Sequence, residues 1–150
     1  MQYEDSATIR AARADYFRRA GFSPDGGYRD RWVKLKIGPI RLAFPNTAAR
    51  VRAVKLHDIH HLLTEYDTTW TGEAEIAAWE LASGCARYYA AWLLNFGAMA
   101  IGLAIAPRRT LAAFSRGRRS KNLYRTPFTE SLLEKTVGEL RRDLCIMTGS

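Results

Sequence analysis

The chain predicts a mainly α-helical, single-domain bundle with a short β-hairpin ahead of a histidine-rich helix. Three observations carry that prediction. Apolar residues recur at three- and four-residue spacing along most of the 150 positions. Only residues 31–44, RWVKLKIGPIRLAF, alternate with the two-residue period of a strand. A composition of 47% hydrophobic and 25% charged residues, without linker-like stretches or repeats, suits one core spanning residues 1–150.

The elements follow in order. Residues 6–20, SATIRAARADYFRRA, predict a helix: Ser6 can cap it, Ile9, Ala12, Tyr16 and Ala20 share a face, and Gly21 can end it. FSPDGGYRD is turn chemistry. In the alternating segment Val33, Leu35 and Ile37 point one way, and Ile40, Leu42 and Phe44 follow the Gly38-Pro39 turn, which predicts a hairpin. Asn46 is the expected N-cap of a helix over 47–64, apolar on more than one face and therefore expected to be buried. A second helix is expected over 73–83, with Gly84 after it. Residues 88–106 carry no charge over nineteen positions but are rich in Ala and Gly and contain Asn95. That composition favours a buried core helix, or the wall of a lipid cavity, over a bilayer span. Pro107 stops it, and a last helix is expected over 130–144, with Thr129 or Ser131 as its cap.

Charge narrows the partners. Twenty-three Lys and Arg against fifteen Asp and Glu give a net +8, and residues 108–125 hold seven of the basic side chains with no acid. Arg108, Arg109, Arg116, Arg118, Arg119 and Lys121 form the expected anion-binding surface, for which an anionic membrane face is the candidate; a solvated basic loop is the competing reading. Aromatic residues are not interleaved with these arginines beyond Phe114 and Tyr124, so nucleic acid is not an expected partner. The start of the chain lacks the basic n-region and apolar run of a signal peptide. Cys85 and Cys145, sixty positions apart, therefore read as reduced thiols of a cytoplasmic protein.

The chemistry sits in HDIHHLLTEYDTTWTGE, residues 57–73. At about 100° per residue, His61 lies roughly 40° from His57 and Asp58 roughly 100° from it, on one arc, whereas His60 points away. Two imidazoles four apart can grip one cation from one helical face, the spacing by which H-E-x-x-H helices hold zinc. If the next helix folds back, Glu73 faces the pair. His57, Asp58, His61 and Glu73 then form an N2O2 set suited to zinc, iron or manganese. Glu80, two turns beyond Glu73, is an outer-shell partner, a proton carrier or a partly exposed acid; Asp58 is a ligand or a base. Glu65 and Glu75 are expected to be solvated. Tyr66, Trp70, Trp79 and Trp92 are candidate pocket walls, although ordinary core packing is the first expectation for Tyr66, Trp70 and Trp79. The competing reading of the histidines is a core pair hydrogen-bonded to Glu73 and Asp58.

The pattern H-D-x-x-H, then Glu eleven residues on with Gly before it, then the acid-and-tryptophan run EIAAWE, resembles the signature of the coenzyme Q (ubiquinone) biosynthesis family that is fourth in that pathway's numbered series. The match covers about residues 45–85. The resemblance implies a helical, divalent-metal protein, usually taken as zinc-binding, with His57, Asp58, His61 and Glu73 on the metal motif. It also implies an apolar cavity for a prenylated aromatic or isoprenoid lipid, and association with membranes and other quinone-biosynthesis proteins; a homodimer is left open. The implied activity is oxidative decarboxylation at ring carbon C1, with a non-catalytic prenyl-lipid-binding scaffold as the alternative. The implied place is the cytoplasm, peripheral on the inner face of the membrane. The chain is shorter than full-length members, and His60 is an extra histidine.

Overall fold

The computed structural model describes residues 2–37 and 40–147. The molecule is mainly helical, as its periodicity predicts. Helix α1, Ile9–Ala20, is capped by Thr8, whose hydroxyl accepts from the Ala11 amide, and ends at Gly21 in the left-handed region with φ 72°. Ser6, the predicted cap, lies outside the helix.

Strands β1, Trp32–Ile37, and β2, Ile40–Pro45, pair antiparallel, with Trp32 opposite Pro45 and Ile37 opposite Ile40. The predicted Gly38-Pro39 turn lies outside the described residues, as do the side chains of Leu35, Ile37, Ile40, Leu42 and Phe44.

Helix α2, Ala48–Thr64, is capped by Thr47 rather than Asn46. Asn46 is spent elsewhere. Its amide donates to the carbonyls of Gly27 and Asp30, and its oxygen accepts from Arg50, which laces the loop after α1 to the start of α2. Helix α3, Trp70–Ser83, starts three residues before the predicted Glu73, because the Thr69 hydroxyl caps it by accepting from the Gly72 amide.

Helix α4 is Tyr89–Ile105 and α5 is Pro107–Gly117. Pro107 ends one helix and opens the next at its first turn, where a missing amide proton costs nothing. The basic region is therefore helical through Gly117. The C-terminal helix is also two elements, α6 (Glu130–Glu134) and α7 (Val137–Asp143). Between them Thr136 forms a capping box with Glu139, and the neighbouring backbone pairs instead with residues 7–9 of the chain start.

Helix α3 packs against α2, α4 and α5, while α2 also packs on α1, α4 and α7. The core gathers Ile9, Tyr16 and Phe17 of α1, Leu56, Ile59, Leu62 and Leu63 of α2, Trp79 of α3, and Leu133, Val137 and Leu140 near the C-terminus. Arg141 of α7 is buried and donates to the carbonyls of Leu62 and Leu63, so a fixed charge satisfies the last turn of α2. It also pairs with Glu65 at 2.7 Å, and Glu75 is buried against Arg109; neither acid is solvated as predicted.

Helix α4 is not the buried helix that its composition suggests. Only Ala91, Asn95 and Gly102 are buried, whereas Leu93 is 76% and Phe96 59% exposed. Small residues make its inner face: a Cβ on Gly102 would lie 2.4 Å from Ala74 Cβ. The helix approaches α3 closely on that side and leaves its large side chains outside. Among the described residues no helix is long and apolar enough to cross a membrane.

Candidate metal centre

Helices α2 and α3 run antiparallel, since His57 meets Glu80 and His61 meets Glu73. His61 donates through Nδ1 to the Tyr66 carbonyl at 3.0 Å, and an acceptor-only carbonyl requires the proton on that nitrogen. His57 Nδ1 lies 2.9 Å from Glu80 Oε1 and donates to it. Both rings therefore carry their proton on Nδ1 and turn Nε2 inward. The two Nε2 atoms stand 3.1 Å apart, with Glu73 oxygens 3.6 Å from that of His57 and 3.4 Å from that of His61.

That arrangement fits a cation. Ligand atoms roughly 2.0–2.1 Å from a tetrahedral zinc are roughly 3.3–3.4 Å from one another. The observed separations straddle that spacing, and one ligand atom from each of His57, His61 and Glu73 lies within 4.8 Å of the others. Two imidazole lone pairs facing at 3.1 Å repel unless a proton or a metal lies between them. Two histidines and one carboxylate leave further coordination positions open, the pattern of catalytic zinc and of non-haem iron sites.

Electrostatics agree. Burial lowers the His57 pKa, but the Glu80 charge and the bonds to Glu73 and Glu80 outweigh it and hold the value well above the ordinary range. Burial would raise Glu80 and Glu73, yet their histidine partners pull both carboxylates well below the usual range. The two carboxylates thus favour the protonated form of His57.

Glu80 is fully buried and not the partly exposed acid that its spacing allowed. Its Oε1 accepts from His57 and from His60 (2.6 Å), and its Oε2 from Asn95 (2.6 Å) and Tyr124 (2.8 Å). Four donors on two oxygens fix its orientation and, through Oε1, that of His57. His60 points away from the set, as helical geometry predicts. The Leu123 amide donates to its Nε2, so its proton also sits on Nδ1, and burial lowers its pKa.

Asp58 lies outside the converging atoms. Its Oδ2 accepts from the Tyr28 hydroxyl at 2.5 Å, and burial raises its pKa. The predicted N2O2 set is thus reduced to His57, His61 and Glu73. The four predicted aromatics have different neighbours. Trp79 is wholly buried against the His60 ring, Trp70 is 51% exposed at the start of α3, and Tyr66 lies under the Arg116 guanidinium. Trp92 stacks on Phe96 and donates to the Ala86 carbonyl.

The predicted anion-binding residues also divide. Arg109 makes a two-point bond to Glu75, and Arg116 donates to the Thr64 carbonyl at the end of α2. Both clamp α5 in place. Arg108, Arg118, Arg119 and Lys121 stay exposed without a side-chain partner among the described residues. The sequence reading missed Asn95 and Tyr124 as partners of Glu80. Asn95 carried a signal, being the only amide in nineteen uncharged residues; Tyr124, 44 positions from Glu80, carried none. No protein-family model and no curated protein matches the chain, so the resemblance rests on the motif and its spacing.

Proposed function

We propose that His57, His61 and Glu73 hold one divalent cation, zinc in first place with iron or manganese as alternatives, in an enzyme acting on a prenylated aromatic acid of ubiquinone or related biosynthesis. The facing Nε2 atoms, 3.1 Å apart beside a carboxylate, carry the metal reading. The motif resemblance carries the substrate class. A metal held there would supply a Lewis acid toward the ring carboxylate, without redox chemistry of its own if it is zinc. Glu80 fixes the tautomer and orientation of His57, and the Tyr66 carbonyl does so for His61. Glu73, whose side chain is 39% exposed, marks the side from which substrate approaches. Asp58, its pKa raised by burial, lies within electrostatic reach of His57, His61 and Glu73 and is the acid assigned to proton exchange in this reading. Replacement of the carboxylate by hydroxyl is an oxidation, so an external oxidant belongs to this reading.

The test is release of labelled CO2 from a prenylated aromatic acid by protein loaded in turn with zinc, iron and manganese. Release by wild type and none by His61→Ala is expected. Stoichiometric binding without release under every loading would move the protein to the second reading, a prenyl-lipid scaffold peripheral on the inner membrane face that docks other quinone-biosynthesis proteins. One observation favours that reading: Leu93, Leu94, Phe96 and Ile105 of α4 and Leu111 of α5 are large apolar side chains left exposed, with Arg108, Arg118, Arg119 and Lys121 on or just beyond α5. Each such cation contributes about 1 kcal/mol at an anionic lipid surface.

A further inference from the structure

A groove of about 820 Å³ opens where the start of α2, the α3–α4 connection and the turn at Leu123–Arg125 meet. Arg52, Arg87 and Arg125 line it, one from each segment, with Tyr88, Tyr89 and Tyr124 between them and no acid. None of the three arginine side chains has an ion-pair or hydrogen-bond partner among the described residues, unlike Arg109, Arg116 and Arg141. Three unneutralised guanidiniums in one concavity repel one another and favour a multiply charged anion.

Two further features point the same way. Tyr89 and Ala90, the first residues of α4, line this groove, and no side-chain hydrogen bond caps the helix, whose amide end favours an anion. Ala86 at the groove wall holds a left-handed backbone, φ 46°, pinned by the Trp92 indole bond to its carbonyl. That is a costly conformation for a residue with a Cβ.

We infer that this groove binds the phosphate or diphosphate group of a small molecule, with the arginines on the phosphate oxygens and the rings of Tyr88 and Tyr89 against a planar ring. The volume suits a metabolite, and guanidinium forks match phosphate oxygens in pairs. The site needs no metal at His57, but it lies one side chain away. Tyr124, which lines the groove, donates to the same Glu80 carboxylate that holds His57. An occupant pressing on Tyr124 therefore touches the outer shell of the metal centre.

Inorganic pyrophosphate is the probe, titrated calorimetrically into wild type, Arg52→Gln/Arg125→Gln, and Arg142→Gln as a control outside the groove. All three changed residues are exposed, and circular dichroism checks folding. The same titration on His61→Ala separates this site from phosphate bound at a metal. One pyrophosphate per chain is expected in wild type and in His61→Ala, weakened tenfold or more in the double variant and within twofold in Arg142→Gln. No saturable binding, loss in His61→Ala, or equal weakening in Arg142→Gln overturns the inference. A parallel arm uses phosphatidylglycerol–phosphatidylcholine vesicles. Vesicle binding lost in the double variant and displaced by pyrophosphate assigns the phosphate to a lipid headgroup. Vesicle binding unaffected by both, with pyrophosphate still bound in the groove, assigns it to a soluble metabolite.

Discussion

His57 Nδ1 and Glu80 Oε1 meet at 2.9 Å across the α2–α3 interface, so a fully buried carboxylate decides which histidine nitrogen faces His61 and Glu73. Glu80→Gln keeps the size of the side chain and removes its charge. Outer-shell losses of this kind typically cost roughly 10–100-fold in metal affinity. Zinc affinity measured with a chromophoric chelator should fall within that range, with stoichiometry restored at high zinc. Unchanged affinity would show that Glu80 acts on the fold alone.

Gly72 sets the position of Glu73. A Cβ at residue 72 would lie 2.2 Å from the Asp67 carbonyl oxygen, which is backbone and cannot rotate away. Gly72→Ala should destabilise the protein by about 1–3 kcal/mol as an overpacked contact, although Ala is the better helix former by about 1 kcal/mol. It should also weaken zinc binding by displacing the first turn of α3. Denaturant unfolding and the chelator assay check the two effects separately.

His60 and Asp58 lie in the motif but outside the ligand set. Purified His60→Gln and Asp58→Asn should each retain close to one zinc per chain by elemental analysis. His60→Gln should lose about 1–3 kcal/mol of stability, since the buried Leu123 amide and Glu80 both lose a partner. Loss of metal in Asp58→Asn would restore Asp58 to the ligands.

The pH dependence has a definite sign. His57 has a folded pKa above 6.5, so its contribution to metal-free stability is full below 6.5 and is lost as pH rises through the folded value. Glu80 has a folded pKa below 4.5, so its contribution is present above 4.5 and is lost as pH falls through the folded value. The chelated protein should therefore be stabilised most by this pair between 4.5 and 6.5 and lose that stabilisation on the alkaline side. Zinc displaces the His57 proton, so apparent affinity should rise about tenfold per pH unit below that pKa. Thermal unfolding with and without zinc across this range checks both statements.

The helical periodicity, the hairpin and the facing of Glu73 toward the two histidines were legible because each depends on spacing along the chain. Gly21 ends α1 and Thr129 caps α6 as their places in the chain suggest, but the N-caps of α1, α2 and α3 were not legible, because Thr8, Thr47 and Thr69 each lie one or two residues from equally suitable polar side chains. The place of α4 was misread for a physical reason: an apolar helix reads as buried, but Gly102 and Ala91 supply the inner face and the large residues are left outside. Asp58 fell on the correct arc, yet Tyr28, thirty positions earlier, takes its carboxylate. Arg141, which closes the last turn of α2 from the far end of the chain, gave no local sign at all.

Elemental analysis of wild-type protein beside His61→Ala, both purified without chelator, tests the central claim most directly. The account predicts about one divalent metal per chain in wild type and less than about a tenth of that in the variant, with both chains folded. Equal metal in the two, or none in wild type after exposure to zinc, iron and manganese, would contradict it.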